Sequence, residues 1–211
     1  MPELKIAVVP VTPFQQNCSI VWDEKTKRGA VIDPGGDLDR ILAALDEIEV
    51  NVEKIVLTHG HIDHAGGAAE LAEKLKVPVE GPHEADAFLL NDLPTAGART
   101  GIPGRVVTPS RWLKEGDSVD IGGFTFEVLH VPGHTPGHVV LFNRANNFAI
   151  VGDTLFQRSV GRTDFPYGDP ELLIDGIRKK LLTLGDAVGI LPGHGATSTI
   201  GAEKQSNPFL R

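Results

Sequence analysis

Residues 58–67 read Thr-His-Gly-His-Ile-Asp-His-Ala-Gly-Gly, and four of them in close succession, His59, His61, Asp63 and His64, can ligate a metal. The apolar run Lys54-Ile55-Val56-Leu57 enters this stretch as a strand, and a helical pattern from Ala65 to Lys76 leaves it. In an extended backbone His59, His61 and Asp63 point to one side, and His64 turns away as the helix begins. That geometry offers a pair of imidazoles to one ion and an Asp-His pair to a second. Imidazole and carboxylate suit Zn, or Mn, Fe and Co, better than an ion that seeks thiolates. A polar loop capping a helix would account for one histidine but not for this cluster.

Three more stretches share one syntax, an apolar run followed by a turn rich in Gly or Pro with a ligand-type residue at the strand's end. They are Val131-Pro132-Gly133-His134-Thr135-Pro136-Gly137-His138, Ile150-Val151-Gly152-Asp153-Thr154 and Leu191-Pro192-Gly193-His194-Gly195. Loops at strand ends are where a rigid scaffold places chemistry. Glycine beside a ligand permits the tight turns and close approach that a metal cage needs. With the first cluster these residues supply three imidazoles for one ion and an Asp and two His for another. One carboxylate remains, and a bridging anion is what makes two neighbouring cations bindable.

The rest of the chain predicts a layered α+β domain. Strands are expected at Leu4–Val11, Ser19–Trp22, Gly29–Ile32, 54–57, Val77–Val79, 117–121, 124–131, Val139–Asn143, 148–151 and 187–191. Helices are expected from an Asp37 cap through Ile48, over 65–76, over 83–90 and over 171–184. Residues 91–111 lack periodicity and read as a lid or binding loop. The strands come in groups, so the class is α+β rather than a regularly alternating parallel sheet. At 211 residues without an evident linker, one domain over 1–211 is the simplest organisation. A net charge of −8 argues against a nucleic-acid surface, which needs a basic face. Cys18, the single cysteine, excludes an intrachain disulfide and reads as a buried small hydrophobe. With no signal-peptide pattern and no long apolar run for a membrane, a cytoplasmic protein is expected.

The order His-x-His-x-Asp-His, Gly-His, Gly-Asp, Gly-His resembles the metallo-β-lactamase superfamily of hydrolases, over essentially the whole chain. Within it, residues 132–138 and Gly152-Asp153-Thr154-Leu155-Phe156 are similar to the glyoxalase II group, and the short C-terminal stretch is similar to single-domain bacterial members of the YcbL type. The resemblance implies an αββα sandwich with metals at one edge between two sheets. It assigns His59, His61 and His134 to one metal, Asp63, His64 and His194 to a second, and Asp153 to the bridge. Asp33 and His138 match positions that support such a site. Arg162 matches a substrate-binding position, a planar cation suited to a carboxylate. The implied activity is hydrolysis of a small anionic thioester of the S-lactoylglutathione class by metal-bound water, which Asp63 would orient. No protein nucleophile is required and no Gly-x-Ser-x-Gly elbow is present. Two divalent ions are implied, Zn first, Fe or Mn otherwise, with a monomer plausible. Two features depart from longer relatives. No helical C-terminal recognition region is expected after His194, and Gly195-Ala196 stands where a Tyr often follows the last ligand. The alternative on the same fold is a mononuclear iron persulfide dioxygenase using His59, His134 and Asp153, which Gly161-Arg162-Thr163-Asp164-Phe165 also resembles.

Overall fold

Several strands of this chain are apolar on successive residues rather than on alternate ones, the pattern of a sheet covered on both faces. The computed structural model, which describes residues 2–211, shows what covers them. Strands β1 (Leu4–Val11), β2 (Gln16–Asp23), β3 (Arg28–Ile32), β4 (Asn51–Val56) and β5 (Val79–Glu80) form one sheet in that order. It is antiparallel through β3 and parallel from β3 to β5. Between and after these strands run α1 (Leu38–Ile48), α2 (Ile62–Ala65), α3 (Ala68–Leu75) and α4 (Ala87–Thr100). The second sheet is built from β6 (Ser118–Ile121), β7 (Phe124–His130), β8 (Val139–Asn143) and β9 (Phe148–Gly152). A small hairpin, β10 (Leu155–Phe156) and β11 (Ser159–Val160), follows, then α5 (Pro170–Gly176), β12 (Gly189–Pro192), β13 (Ser198–Thr199) and α6 (Ile200–Ser206). The second sheet's order is β13-β12-β9-β8-β7-β6.

Three buried clusters separate four layers. Ile41, Leu45, Leu71, Leu90 and Leu93 of the helices pack on Cys18, Ile20, Val31 and Ile55 of the first sheet. Val21, Ile32 and Val56 meet Phe126, Val128, Val139, Leu141 and Ile150 between the sheets. Val140, Phe142 and Val151 then pack outward on Leu173, Ile177, Leu181 and Ile200. Neighbouring residues such as Val140 and Leu141 therefore serve different cores. Truncating a fully buried Leu in such a layer costs about 2–5 kcal/mol. The expected αββα sandwich is the architecture found.

Some local expectations are corrected. Residues 91–111 are not one long irregular loop, because α4 continues to Thr100. Its buried face is Leu90, Leu93 and Gly97, and the glycine hides the apolar period because a Cβ there would strike the Ile102 carbonyl. Pro94 lies inside the same helix and cannot donate to the Leu90 carbonyl, which accepts from Val107 N at 3.5 Å instead. Asp37 precedes α1 but does not cap it with its side chain; its carboxylate accepts from Thr12 N at 2.8 Å. The helix expected over 65–76 is two pieces, α2 and α3, and the former starts at Ile62. Asp63 and His64 consequently project from a helical turn, and Asp63 does not share an extended alternation with His59 and His61. The helix expected to Leu184 leaves α-geometry after Gly176 for a wide turn over Ile177–Leu181.

Candidate metal centre

Strands of both sheets end at one seam and deliver polar residues there. β4 runs out into His59 and His61, and α2 adds Asp63 and His64; from the second sheet, β7 is followed by His134, β9 by Asp153 and β12 by His194. His61 Nδ1 lies 3.2 Å from His59 Nε2 and 3.0 Å from His134 Nε2. Tetrahedral nitrogen ligands about 2.0–2.1 Å from zinc stand roughly 3.3 Å from one another, so this spacing fits an ion. Asp63, His64 and His194 form a second cluster, with His194 Nε2 3.1 Å and His64 Nε2 3.8 Å from Asp63 Oδ2. Asp153 stands between the two. Its Oδ1 is 3.3 Å from His64 Nε2, and its Oδ2 is 3.6 Å from His134 Nε2 and 3.5 Å from His194 Nε2. Every expected ligand is brought to one place.

Each of these imidazoles turns its outer nitrogen to an acceptor, which fixes the tautomer and aims the other lone pair inward. His64 Nδ1 donates to Asp33 Oδ2 at 2.9 Å, His134 Nδ1 to the Arg162 carbonyl at 2.7 Å, and His194 Nδ1 to the Phe14 carbonyl at 3.1 Å. His59 Nδ1 donates to Thr58 Oγ1 at 3.0 Å, which passes its own proton to Asp33 Oδ2 at 2.6 Å. His61 Nε2 meets the Tyr167 hydroxyl at 2.9 Å. Asp33 also accepts from Thr58 N at 2.7 Å, so its oxygens are taken up by Thr58 and His64, although it too lies near His59 and His64. His138 stacks on His59 with centroids 4.7 Å apart, and its Nε2 accepts from Asp153 N at 2.9 Å. It supports two ligands without facing a cluster.

Electrostatics divides the site. Burial, then the neighbouring imidazoles, holds His59 well below the ordinary histidine range and pushes His61 down to about 3. Burial also lowers His134, against the pull of Asp153. The three-histidine cluster is therefore neutral, with lone pairs free. For Asp153 burial works upward, but the combined pull of His64, His134 and His194 outweighs it and holds the carboxyl far below the usual range. Asp63 is lowered in the same way by His64 and His194 against its burial. His64 is raised by Asp153 and Asp63 despite burial, and His194 by its hydrogen bond to Asp63 despite burial. The second cluster thus draws positive charge. His64 Nε2 and Asp153 Oδ1 are buried without a hydrogen-bond partner. Leaving such atoms unmade costs about 1–3 kcal/mol each, and cation binding is what this pair of atoms fits.

A close approach explains two glycines. A Cβ at Gly193 would overlap Asp153 Oδ1 and the His64 ring, and one at Gly161 would overlap the Asp153 carbonyl. The clusters open on a cleft of about 570 Å³ lined by Phe14, Leu89, Phe156, Arg162, Phe165 and Tyr167, among others. Phe156 reaches it from the β10–β11 hairpin, which Glu203 and Asn207 tether by accepting from Arg158 N and donating to the Ser159 carbonyl. Arg162 lines the cleft, with its guanidinium paired to both oxygens of Asp164 at 2.9 Å and lying over Phe165. Cys18 is buried on the helix side of the first sheet; burial raises its thiol, and it takes no part in the site.

The sequence reading missed Asp86 and Tyr167. Asp86 is wholly buried and accepts from Gly60 N at 2.9 Å, Gly137 N at 2.6 Å and Thr135 Oγ1 at 2.8 Å. One carboxylate thereby joins the loop carrying His59 and His61 to the loop carrying His134 and His138. Its position in a short 3₁₀ turn after His83 gave no local signal.

The family model described as the metallo-beta-lactamase superfamily matches residues 11–194. Among curated proteins, hydroxyacylglutathione hydrolase GloC of Haemophilus influenzae is 47% identical over 209 residues, 98% of each chain. Among solved structures, the BLEG-1 B3 metallo-beta-lactamase superposes with a TM-score of 0.89 at 34% identity, covering 98% of this chain and 99% of that one. TTHA1623 in a di-iron-bound form gives 0.86 at 36% identity, covering 97% and 100%.

Proposed function

Because the chain belongs to the metallo-β-lactamase superfamily, we propose that it is a dinuclear metal-dependent hydrolase of thioesters of the hydroxyacylglutathione class. His59, His61 and His134 would hold one ion, Asp63, His64 and His194 the other, and Asp153 both. The observation that carries this reading is Asp153, a buried carboxylate within 3.6 Å of both clusters and with Oδ1 unpartnered. A mononuclear site on His59, His134 and Asp153 would leave the buried His64 Nε2 and the Asp63–His194 pair without a use, which favours the hydrolase over the dioxygenase. The GloC relative is named for the same substrate class.

Bound metals would lower the pKa of a water to about 7 and polarise the thioester carbonyl. The chain's own residues do the rest. Asp63, held ionised by His64 and His194 against its burial, can accept a proton of that water and orient it. His134 and His194, tied to backbone carbonyls, keep the inner geometry rigid. A thiolate leaves readily, so no residue need donate a proton to it. The Arg162–Asp164 pair is exposed on both sides, and solvent and salt screen such pairs so that they contribute little. A substrate carboxylate can therefore compete for Arg162 at little cost.

Zinc is our first choice, with iron or manganese accepted by the same donors, and the TTHA1623 relative carries iron. The partner is a small anionic thioester, not nucleic acid, met by a single-domain, monomeric chain in the cytoplasm. Among the described residues no helix is long and apolar enough to cross a membrane. Elemental analysis of protein purified without added metal, read beside S-lactoylglutathione hydrolysis, tests the proposal. Two equivalents with turnover support it; one iron with oxygen uptake on a glutathione persulfide and no hydrolysis overturns it.

A further inference from the structure

The inner nitrogens of five imidazoles face the two clusters, and among the described residues only His61 gives its outer nitrogen to an acceptor whose own proton has no taker. His61 Nδ1 lies among the ligand nitrogens, so its proton is on Nε2 and the Tyr167 oxygen, 2.9 Å away, accepts it. Being the acceptor there, the phenol must send its own O–H elsewhere. Tyr167 makes no other hydrogen bond among the described residues and lines the cleft beside His61. Its ring is held: it stacks on Phe165 at 5.4 Å and 10° and meets Phe88 edge-on at 5.2 Å. Phe165 in turn packs against His61 at 4.9 Å and His134 at 5.7 Å.

Resting on the assignment of His61 as a ligand, we propose that Tyr167 is a positioning residue. It fixes the tautomer of His61 for the first metal and presents its O–H to an acceptor atom of the bound substrate. The contrast with the second cluster gives this a direction. His64 leans on a carboxylate, Asp33, which makes an imidazole a stronger donor, whereas His61 leans on a neutral hydroxyl. The ion held by His61 is then the more weakly held of the two.

The test is Tyr167→Phe, which keeps the ring and both aromatic contacts and removes only the hydroxyl. Zinc affinities of wild type and variant are measured by chelator competition, alongside the visible spectrum of the cobalt-substituted proteins and the melting temperature of each without metal. We expect the weaker of the two zinc sites to lose about 10–100-fold in affinity, a shifted cobalt spectrum, an unchanged metal-free melting temperature, and a raised KM at saturating zinc. Unchanged affinities and an unchanged cobalt spectrum would overturn the proposal. An affinity loss with an unchanged KM overturns its substrate contact. A wild type that binds fewer than two equivalents defeats the underlying site assignment instead, and the two failures are thus told apart.

Discussion

Asp86→Ala removes a side chain that touches neither proposed metal site yet ties both ligand loops together. The carboxylate accepts from Gly60 N, Gly137 N and Thr135 Oγ1 in a wholly buried setting. Stranding three buried donors at about 1–3 kcal/mol each would cost roughly 3–9 kcal/mol if the space stayed dry. Against this runs relief from burying a charge. Burial raises the Asp86 carboxyl from 3.8 to about 6, although its three hydrogen bonds pull it down. At 1.36 kcal/mol per unit, that relief is about 3 kcal/mol once both states are ionised. Water entering the vacated space recovers part of the donors' loss. We therefore expect the variant to lose about 2–4 kcal/mol near neutral pH, with weakened metal binding because the His59–His61 loop is no longer pinned.

The pH dependence gives this reasoning its sharpest check. Where a carboxyl's folded pKa is raised, the folded state holds more protons between the two values, and stability falls as pH rises through that window. Wild type should therefore gain about 1 kcal/mol from Asp86 on going from pH 7 to pH 5, a gain the variant lacks. All other titrating groups are common to both proteins, so the difference isolates Asp86. Urea midpoints of both proteins, freed of metal by a chelator, measure it at each pH. A variant within about 0.5 kcal/mol of wild type, the scale of ordinary surface substitutions, would refute the reasoning. So would a loss that shrinks on acidification.

Asp153→Ala should remove at least one metal equivalent and nearly all turnover, read by elemental analysis beside the thioester assay; two retained equivalents with a normal rate would sink the dinuclear reading. His138→Ala deletes the acceptor for Asp153 N and the ring under His59, and should cost about 10–100-fold in metal affinity or activity. If it abolishes metal binding as fully as His134→Ala, the division between ligands and their supports is wrong. Arg162→Ala should raise KM for S-lactoylglutathione with little change in kcat, the mark of lost uniform binding. An unchanged KM with a lowered melting temperature would assign Arg162 to its pair with Asp164 instead.

The candidate ligand cluster was legible because metal chemistry needs particular side chains at particular strand ends, and a His-rich loop leaves a dense local signal. The layers were legible for a similar reason, since Val139–Asn143 is apolar at nearly every position and only a doubly covered strand tolerates that. What escaped depends on distance along the chain. Asp86 earns its place from Gly60 and Gly137, residues 26 and 51 positions away, and a lone Asp in a short turn carries no mark of such partners. Tyr167 meets His61 across 106 positions. The extension of α4 was hidden locally, because Gly97 and Pro94 are residues a sequence pattern reads as breaks, while the fold uses the first for close packing and relieves the second through Val107.

The proposed ligands are divided between the two sheets: His59, His61, Asp63 and His64 follow strand β4 of one, and His134, Asp153 and His194 follow strands of the other. Each metal would therefore act as a rivet through two plates, and the bridge on Asp153 would lock the rivets to each other. Any ligand that binds only the folded state stabilises it by RT ln(1 + [L]/Kd), about 2.7 kcal/mol at a hundredfold excess over Kd. The thermal tolerance of this chain then becomes a function of the metal supply around it. The converse also holds. Replacing a residue such as Phe126, which packs between the plates, would then register as a weaker grip on the ions.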